Sequence, residues 1–271
     1  MKVCWILMNY FKEEELAKFV KDFLLTSQQD QFVVRIANNG SNNSSILNEL
    51  TSDSRVRVDG DGTNLGYFGG AAFALEAQRK EFGDYPGLTV VSNFDLEWEV
   101  SDLVKQLYEE SKQTECAVIA PRIVDMKSKV EMNPYYVNRI EVAKLNRLIQ
   151  VSSFYMIYLI YQWLHLIKRF FSKNTSNVIS NEPVYAVHGS FVVIKKEYFE
   201  NGASLTYGSF LYGEEIFMAE ETRRIGLKTC VFTSILVTHN EHITTGKIKG
   251  KKHMHYLNKS LRFLKKTYFS K

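Results

Sequence analysis

Short apolar or β-branched runs alternate with amphipathic helical stretches through roughly the first 120 residues, and this alternation constrains the fold more than any other feature of the chain. In order they read VCWILM, EEELAKFVKDFLL, FVVRIA, NSSILNEL, RVRV, GGAAFALEAQRKEFG, LTVVSN, VSDLVKQLYEES and CAVIA. Strands joined through helices make right-handed crossovers, so the pattern predicts an α/β fold with a mostly parallel sheet flanked by helices. Ligands of such open sheets bind beyond the carboxyl ends of the strands. That rule singles out Asn38 to Ser45 (NNGSNNSS) after FVVRIA, and Asn93 to Asp95 (NFD) at the end of LTVVSN.

A chain of 271 residues can bury a substantial core in one domain, and 45% apolar with 24% charged residues excludes whole-chain disorder. Between about 130 and 182 the alternation lapses around VSSFYMIYLIYQWLHLIKRFF, then resumes with PVYAVHGSFVVIKKEYF and FLYGEEIFMAEETRRIGLKTCVFTSILVTHNEH. The expected organisation is one domain over 1–246 with a helical insertion at about 130–182, followed by a basic amphipathic tail at 247–271. That tail carries Lys and Arg throughout and no Asp or Glu, which sets it apart electrostatically. The start, MKVCWILMNYFKEEE, has no small-residue cleavage site and reads as a first strand, which predicts a cytoplasmic location. Cys4, Cys116 and Cys230 are odd in number and lie in apolar runs, where reduced core thiols are expected.

Two places offer chemistry. Asp95 follows a run whose unbroken apolar character marks a central strand buried on both faces, where a carboxylate can hold a divalent cation against a phosphorylated ligand. Asp also caps helices, so a strand-end Asp alone leaves both roles open. In YGEEIFMAEETRRIG, Glu214 and Glu215 open a helical stretch and point about 100° apart, so that one can face a substrate as general base. First-turn acids complementing the helix dipole are the competing reading. Glu220 and Glu221, with Arg223 and Arg224 behind them, read as a solvated helix face.

In order and spacing, NNGS, NLGYFGGAAFAL, NFD, HGSFVVIKKEYF, YGEE and THNEH resemble the family-two inverting glycosyltransferases of the GT-A fold. Among these the resemblance is to rhamnosyl-, galactofuranosyl- and related transferases that build bacterial surface polysaccharides. It covers most of the chain outside 130–182. It implies a GT-A (Rossmann-like) sheet, a UDP- or dTDP-sugar donor, Mn2+ or Mg2+ as cofactor, and a saccharide hydroxyl, often lipid-linked, as acceptor. Asn93 and Asp95 then match an Asn-first form of the DxD-type motif, with Asp95 as metal ligand and His239 completing the metal site. Asn38, Asn39 and Ser41 match the nucleotide-contacting loop, and the Asn38 side-chain oxygen would accept from a uracil or thymine N3–H. Asn64, Gly66, Gly69 and Gly70 match a segment packed beside the nucleotide. His188 and Gly189 match a wall of the pocket. Glu215 stands where the family has its catalytic Asp, in a Glu-Glu pair with Glu214 where relatives have Glu-Asp. Two other readings compete: a sugar nucleotidyltransferase, whose glycine-rich basic phosphate loop MNYFKEEE lacks, and a catalytically inactive scaffold subunit at the membrane.

From Val151 to Ile167 no residue is formally charged, but the stretch is short of the about 20 residues a membrane span needs. Met156, Leu159, Ile160, Trp163, Ile167 and Phe170 share one helical face, while Tyr155, Tyr158, Gln162 and His165 share the other. Such a helix, with Lys168 and Arg169 after it, suits a membrane interface, and the basic tail adds attraction to anionic lipid. Packing into the protein or against a second subunit in a homodimer competes. No nucleic-acid motif accompanies the basic tail. The expectation is a peripheral protein at the inner face of the cell membrane.

Overall fold

The computed structural model describes residues 2–27, 32–171, 182–240 and 250–270, with backbone alone for 165–171. Among the described residues one sheet of eight strands runs in the order β3-β2-β1-β4-β7-β6-β8-β5. β1 (Val3–Asn9), β2 (Phe32–Asn38), β3 (Val56–Asp59) and β4 (Leu88–Ser92) are mutually parallel, as the alternation predicts. α1 (Glu13–Thr26), α2 (Ser44–Leu50) and α3 (Tyr67–Phe82) make the crossovers. The chain steps outward from β1 to β3 and returns on the other side of β1 as β4, which puts a topological switch point between β1 and β4.

Every residue of β1 and β4 is buried, since helices cover both faces of the sheet. Trp5 anchors one face: it is fully buried against Phe23 and Phe191, and its indole N–H donates to Ser92 Oγ at 2.8 Å. Buried Arg35 on β2 is compensated on all sides, donating to Gln78 at 2.8 Å, to Asp59 at 2.8 and 3.0 Å, and to Glu81. Caps punctuate the crossovers. Asn43 accepts from Ser45 N–H at the start of α2, and Gly83 closes α3 in the left-handed region at φ +79°.

The second half supplies β5 (Leu96–Trp98), α4 (Leu103–Ser111), β6 (Val118–Asp125), α5 (Val142–Val151), α6 (Tyr155–Phe171), β7 (Phe191–Lys195), α7 (Lys196–Glu200), α8 (Glu214–Arg224), β8 (Thr229–His239) and α9 (Gly250–Tyr268). β7 runs antiparallel to β4 and pairs Phe191 with Ser92. Its direction decides where the site forms, because the residues that lead into it, His188 to Ser190, arrive at the carboxyl end of β4. β6 and β8 are parallel to each other, so the end of β8 at His239 reaches the same edge, paired with Leu96 and Asp125.

Two expectations are corrected here. Cys116 and Cys230 are joined in a disulfide and Cys4 alone is a free, buried thiol among the described residues; Cys116 lies just ahead of β6, with its Cα 5.9 Å from that of Cys230 on the neighbouring β8. Glu220 and Glu221 are buried and not solvated, because α9 lies over α8: Glu220 accepts from Arg139 at 2.7 and 2.8 Å and from the Tyr185 hydroxyl at 2.7 Å, and Glu221 accepts from Arg224 and the Tyr268 hydroxyl. Within the basic tail, α9 turns Leu261 and Leu264 into the core that α8 shares.

The insertion forms α5 and α6. On α6 Tyr158 turns inward, where its hydroxyl meets His253 Nδ1 of α9 at 2.5 Å. The apolar face is left outward, with Met156, Ile160 and Trp163 exposed to 68, 56 and 62%. No helix among the described residues is long and apolar enough to cross a membrane.

Candidate active site

The NFD loop does not start a helix. Residues 96–98 continue as β5, and α4 begins later with Asp102 as its own cap, accepting from Lys105 N–H at 3.0 Å. The capping role left open for Asp95 is therefore absent. The loop is held by backbone bonds instead: Asn93 N–H donates to Ser190 O at 2.8 Å, and Asn240 N–H to Asp95 O at 3.0 Å. These fix the Asp95 side chain inside, with Oδ1 3.2 Å from His239 Nε2, and bring Asn93 Nδ2 to 3.4 Å from the same nitrogen. His239 is 5% exposed, and its Nδ1 is buried without a hydrogen-bond partner among the described residues.

His188, Gly189 and Ser190 link this pair to the acids of α8. The His188 ring stands 6.1 Å from that of His239, centroid to centroid. Its Nδ1 accepts from Ser190 N–H at 3.2 Å, so the neutral ring carries its proton on Nε2. Burial, with His239 nearby, pushes the His188 pKa down to about 4, which keeps the ring neutral at pH 7. Gly189 is packed against Glu215: a Cβ on Gly189 would lie 3.1 Å from Glu215 Oε1, and the Gly189 backbone hydrogen-bonds the carboxylate. Ser190 carries the backbone bond to Asn93. Three consecutive residues thus join the NFD loop, through Asn93, and the neighbouring His239 ring on one side to Glu215 on the other.

Glu214 and Glu215 open α8 directly after Gly213, which sits in the left-handed region at φ +83°. Burial raises the pKa of both carboxyls, and Glu214 is raised further by the charge of Glu215. Glu214 is the more enclosed and accepts from Tyr212 N–H at 3.1 Å, while Glu215 is half-buried. The aromatic wall was not foreseen from the sequence. The Tyr67 hydroxyl donates to Gly189 O at 2.9 Å, and its pKa is raised by burial and then by the charges of Glu214, Asp95 and Glu215. Tyr135 stacks edge-on against His188 at 5.9 Å, and the charge of Glu215 is the largest cause of its own raised pKa. Tyr67 lies inside the NLGYFGG segment that drew notice for its glycines. Tyr135 lies in irregular chain, which no periodicity marks.

The residues assigned to the nucleotide loop divide by what they bind. Asn38 ends β2, and its Oδ1 already accepts from Gly40 N–H at 3.3 Å and from Asn9 Nδ2 at 3.2 Å. Asn9 is oriented in turn by donating to Gly40 O at 2.7 Å. The backbone therefore fixes both amides, and the side Asn38 leaves available is its Nδ2 donor, not the oxygen expected to meet a base N3–H. Asn39 is spent within the protein, donating to Gly66 O at 2.8 Å and accepting from Leu65 N–H at 3.3 Å. Ser41 sits by Glu13, whose carboxylate accepts from the Asn42 and Asn43 N–H groups: burial draws that carboxyl upward, but Ser41 beside it and these backbone bonds hold it below the ordinary range. Asn64 is exposed and accepts from Gly66 N–H at 2.9 Å.

Gly66 and Gly70 have steric reasons to be glycine. Gly66 has φ +78°, and a Cβ there would lie 2.0 Å from the Phe210 carbonyl oxygen; a Cβ on Gly70 would lie 2.9 Å from Asn39 Nδ2, and one on Gly69 only 3.1 Å from Leu65 Cβ. Gly66→Ala is expected to cost about 3 kcal/mol, from left-handed strain together with the clash. The loss should appear as a lower urea midpoint with unchanged slope. A cost under about 1 kcal/mol would show that the 64–66 turn parts readily from the Phe210 loop.

Comparison with protein families and with curated proteins finds no match to the sequence. Solved structures do match. With S. aureus TarS 1-349 in complex with UDP-GlcNAc the TM-score is 0.58 at 10% identity, over 92% of this chain and 62% of that one. With the mannosyltransferase PcManGT from Pyrobaculum calidifontis in complex with GDP-Man and Mn2+ it is 0.51 at 12% identity, over 90% and 58%. This chain thus spans about three-fifths of the length of each of these two structures. The likeness shows the fold: an α/β, Rossmann-like GT-A sheet flanked by helices, as the resemblance implied.

Proposed function

We propose that the chain is a metal-dependent, inverting glycosyltransferase that moves a sugar from a UDP- or dTDP-sugar to a hydroxyl of a saccharide acceptor. The observation that carries this reading is the linkage of the Asp95–His239 pair to Glu215 through His188, Gly189 and Ser190, at the carboxyl edge of the sheet. Structural neighbours solved with UDP-GlcNAc and with GDP-Man and Mn2+ support it.

The residues fit a divalent cation. A buried carboxylate oxygen and a buried imidazole nitrogen 3.2 Å apart, with the other ring nitrogen left unsatisfied, form a mixed oxygen and nitrogen donor set. That set suits Mn2+ better than Mg2+. Among the described residues no group of three or more His, Cys, Asp or Glu is placed to hold a metal ion, so Asp95 and His239 would hold the ion with phosphate oxygens and water as its remaining ligands. When bound, it neutralises the charge that gathers on the departing diphosphate.

The chain's own residues do the rest. Glu215 accepts the proton of the acceptor hydroxyl as that oxygen bonds to the anomeric carbon and the bond to the diphosphate breaks on the opposite face, which inverts the centre. Neutral His188 offers Nε2–H to the pocket, and Tyr67 and Tyr135 line it beside Glu215. Asn38 would read a pyrimidine through a ring carbonyl, which accepts from Nδ2. Calorimetry with UDP, dTDP and GDP, with and without Mn2+, is expected to show metal-dependent binding of a pyrimidine diphosphate, and the matching nucleotide sugar should release nucleotide on turnover. A chain that binds none of them with Mn2+ present would instead fit an inactive scaffold.

A further inference from the structure

The outward face of α6 is a surface with nothing packed on it among the described residues. Met156, Ile160, Trp163 and Leu164 follow the i, i+4, i+7, i+8 rule of one helical stripe, with Trp163 and Leu164 exposed to 62 and 53%, and Phe154, just ahead of the helix, is exposed to 63%. Such a run is out of place against water.

Charge identifies what covers it. The three helices α5, α6 and α9 pack on one another, and none contains an Asp or Glu. Residues 142–171 carry four Lys and Arg, and residues 250–270 carry six. Two of these cations stand at the amino end of the apolar stripe: Lys251 Nζ lies 5.5 Å over the Tyr155 ring, and Arg262 donates to Ser153 Oγ at 3.2 Å. A second copy of the chain meeting this face about a two-fold axis would set cation against cation, with no acid on the three helices to pair them. An anionic lipid surface supplies the missing counter-charge and a medium for the apolar side chains.

We propose that α6 lies in the interface of an anionic bilayer, with its Met156–Ile160–Trp163–Leu164 stripe among the acyl chains and the cations of α5 and α9 at the headgroups. The inward face of α6 ties this surface to the active-site side of the molecule, since His253, bonded to Tyr158, also stacks on Tyr212 at 4.3 Å, two residues before Glu214. The assignment goes beyond the transferase reading and stands apart from it, because its test reads binding and not catalysis.

The test is flotation of the full chain with vesicles of phosphatidylcholine containing phosphatidylglycerol, and with phosphatidylcholine alone. The chain is expected to float with the anionic vesicles, and less so at high salt. Ile160→Glu with Trp163→Glu should weaken that binding at least about tenfold, from the lost apolar burial. Lys251→Gln with Lys252→Gln should weaken it about fivefold per charge. Both pairs alter exposed positions, so unchanged thermal midpoints and unchanged nucleotide affinity are expected. Failure to float with either vesicle, or flotation untouched by both pairs, would overturn the proposal. So would a wild-type dimer in sedimentation that ignores vesicles and is split by the Glu pair, since a second copy would then be the occupant. A chain that floats yet binds no nucleotide would retain the surface and lose only the transferase reading.

Discussion

Glu215→Gln is expected to lower kcat for sugar transfer by about 10^2 to 10^4-fold while leaving nucleotide affinity within about twofold. Gln keeps the shape that packs on Gly189 and can still accept from its backbone, so the positions of His188 and Ser190 should survive; only the ability to take a proton is lost. The acid limb of kcat/KM for the unchanged protein adds a second reading. Burial raises the Glu215 pKa, so activity should rise with pH through a value above the ordinary carboxylate range, not near 4.3. Stability moves the other way. A carboxyl whose folded pKa is raised binds protons more tightly folded than unfolded, so ionising it above its unfolded pKa costs stability. Glu215→Gln should therefore unfold no more readily than the parent at pH 7, and the gain should vanish at pH values below the ordinary carboxylate range. A variant that is inactive and less stable would make Glu215 a structural first-turn acid, whereas one that is inactive and at least as stable fits a site that holds its base at a cost to the fold.

The sheet was readable because its strands are buried on both faces, and such strands leave unbroken apolar runs. VCWILM and LTVVSN announce β1 and β4 without reference to anything distant, and the position of Asp95 follows from the end of β4. What could not be read is set by pairing at long range. Nothing in FVVIK states that β7 runs antiparallel, yet that direction delivers His188, Gly189 and Ser190 to the Asp95 edge. Asn38 and Asn39 look alike in sequence, but the Gly40 backbone and the 64–66 turn decide which amide is spent and which atom is left exposed. Glu220 and Glu221 read as a solvated face until α9 covers α8, and the partner of Cys116 is 114 residues away. Local rules found the places where chemistry gathers; the tertiary pairings chose the atoms.

Asp95→Asn tests whether this residue holds the cation, and its expected effect is the larger one on binding. The replacement removes the negative charge and leaves a weaker neutral oxygen beside His239, which a cation ligand would not tolerate. Loss of even outer-shell partners costs metal sites about 10–100-fold in affinity or activity, so loss of the carboxylate itself should weaken Mn2+-dependent nucleotide binding by more than about a hundredfold. Binding measured without the ion should change little, since the contacts of Asn38 and the 64–66 turn lie elsewhere. Fold stability should hold or rise, because the backbone bonds from Asn93 to Ser190 and from Asn240 to residue 95 do not involve the side chain. Calorimetry in matched buffers with Mn2+ or with a chelator reads all of this in one titration series. Equal affinity of parent and variant in the presence of Mn2+ would remove Asp95 from the metal site and leave the Asp95–His239 contact a structural pair, whatever the activity of Glu215.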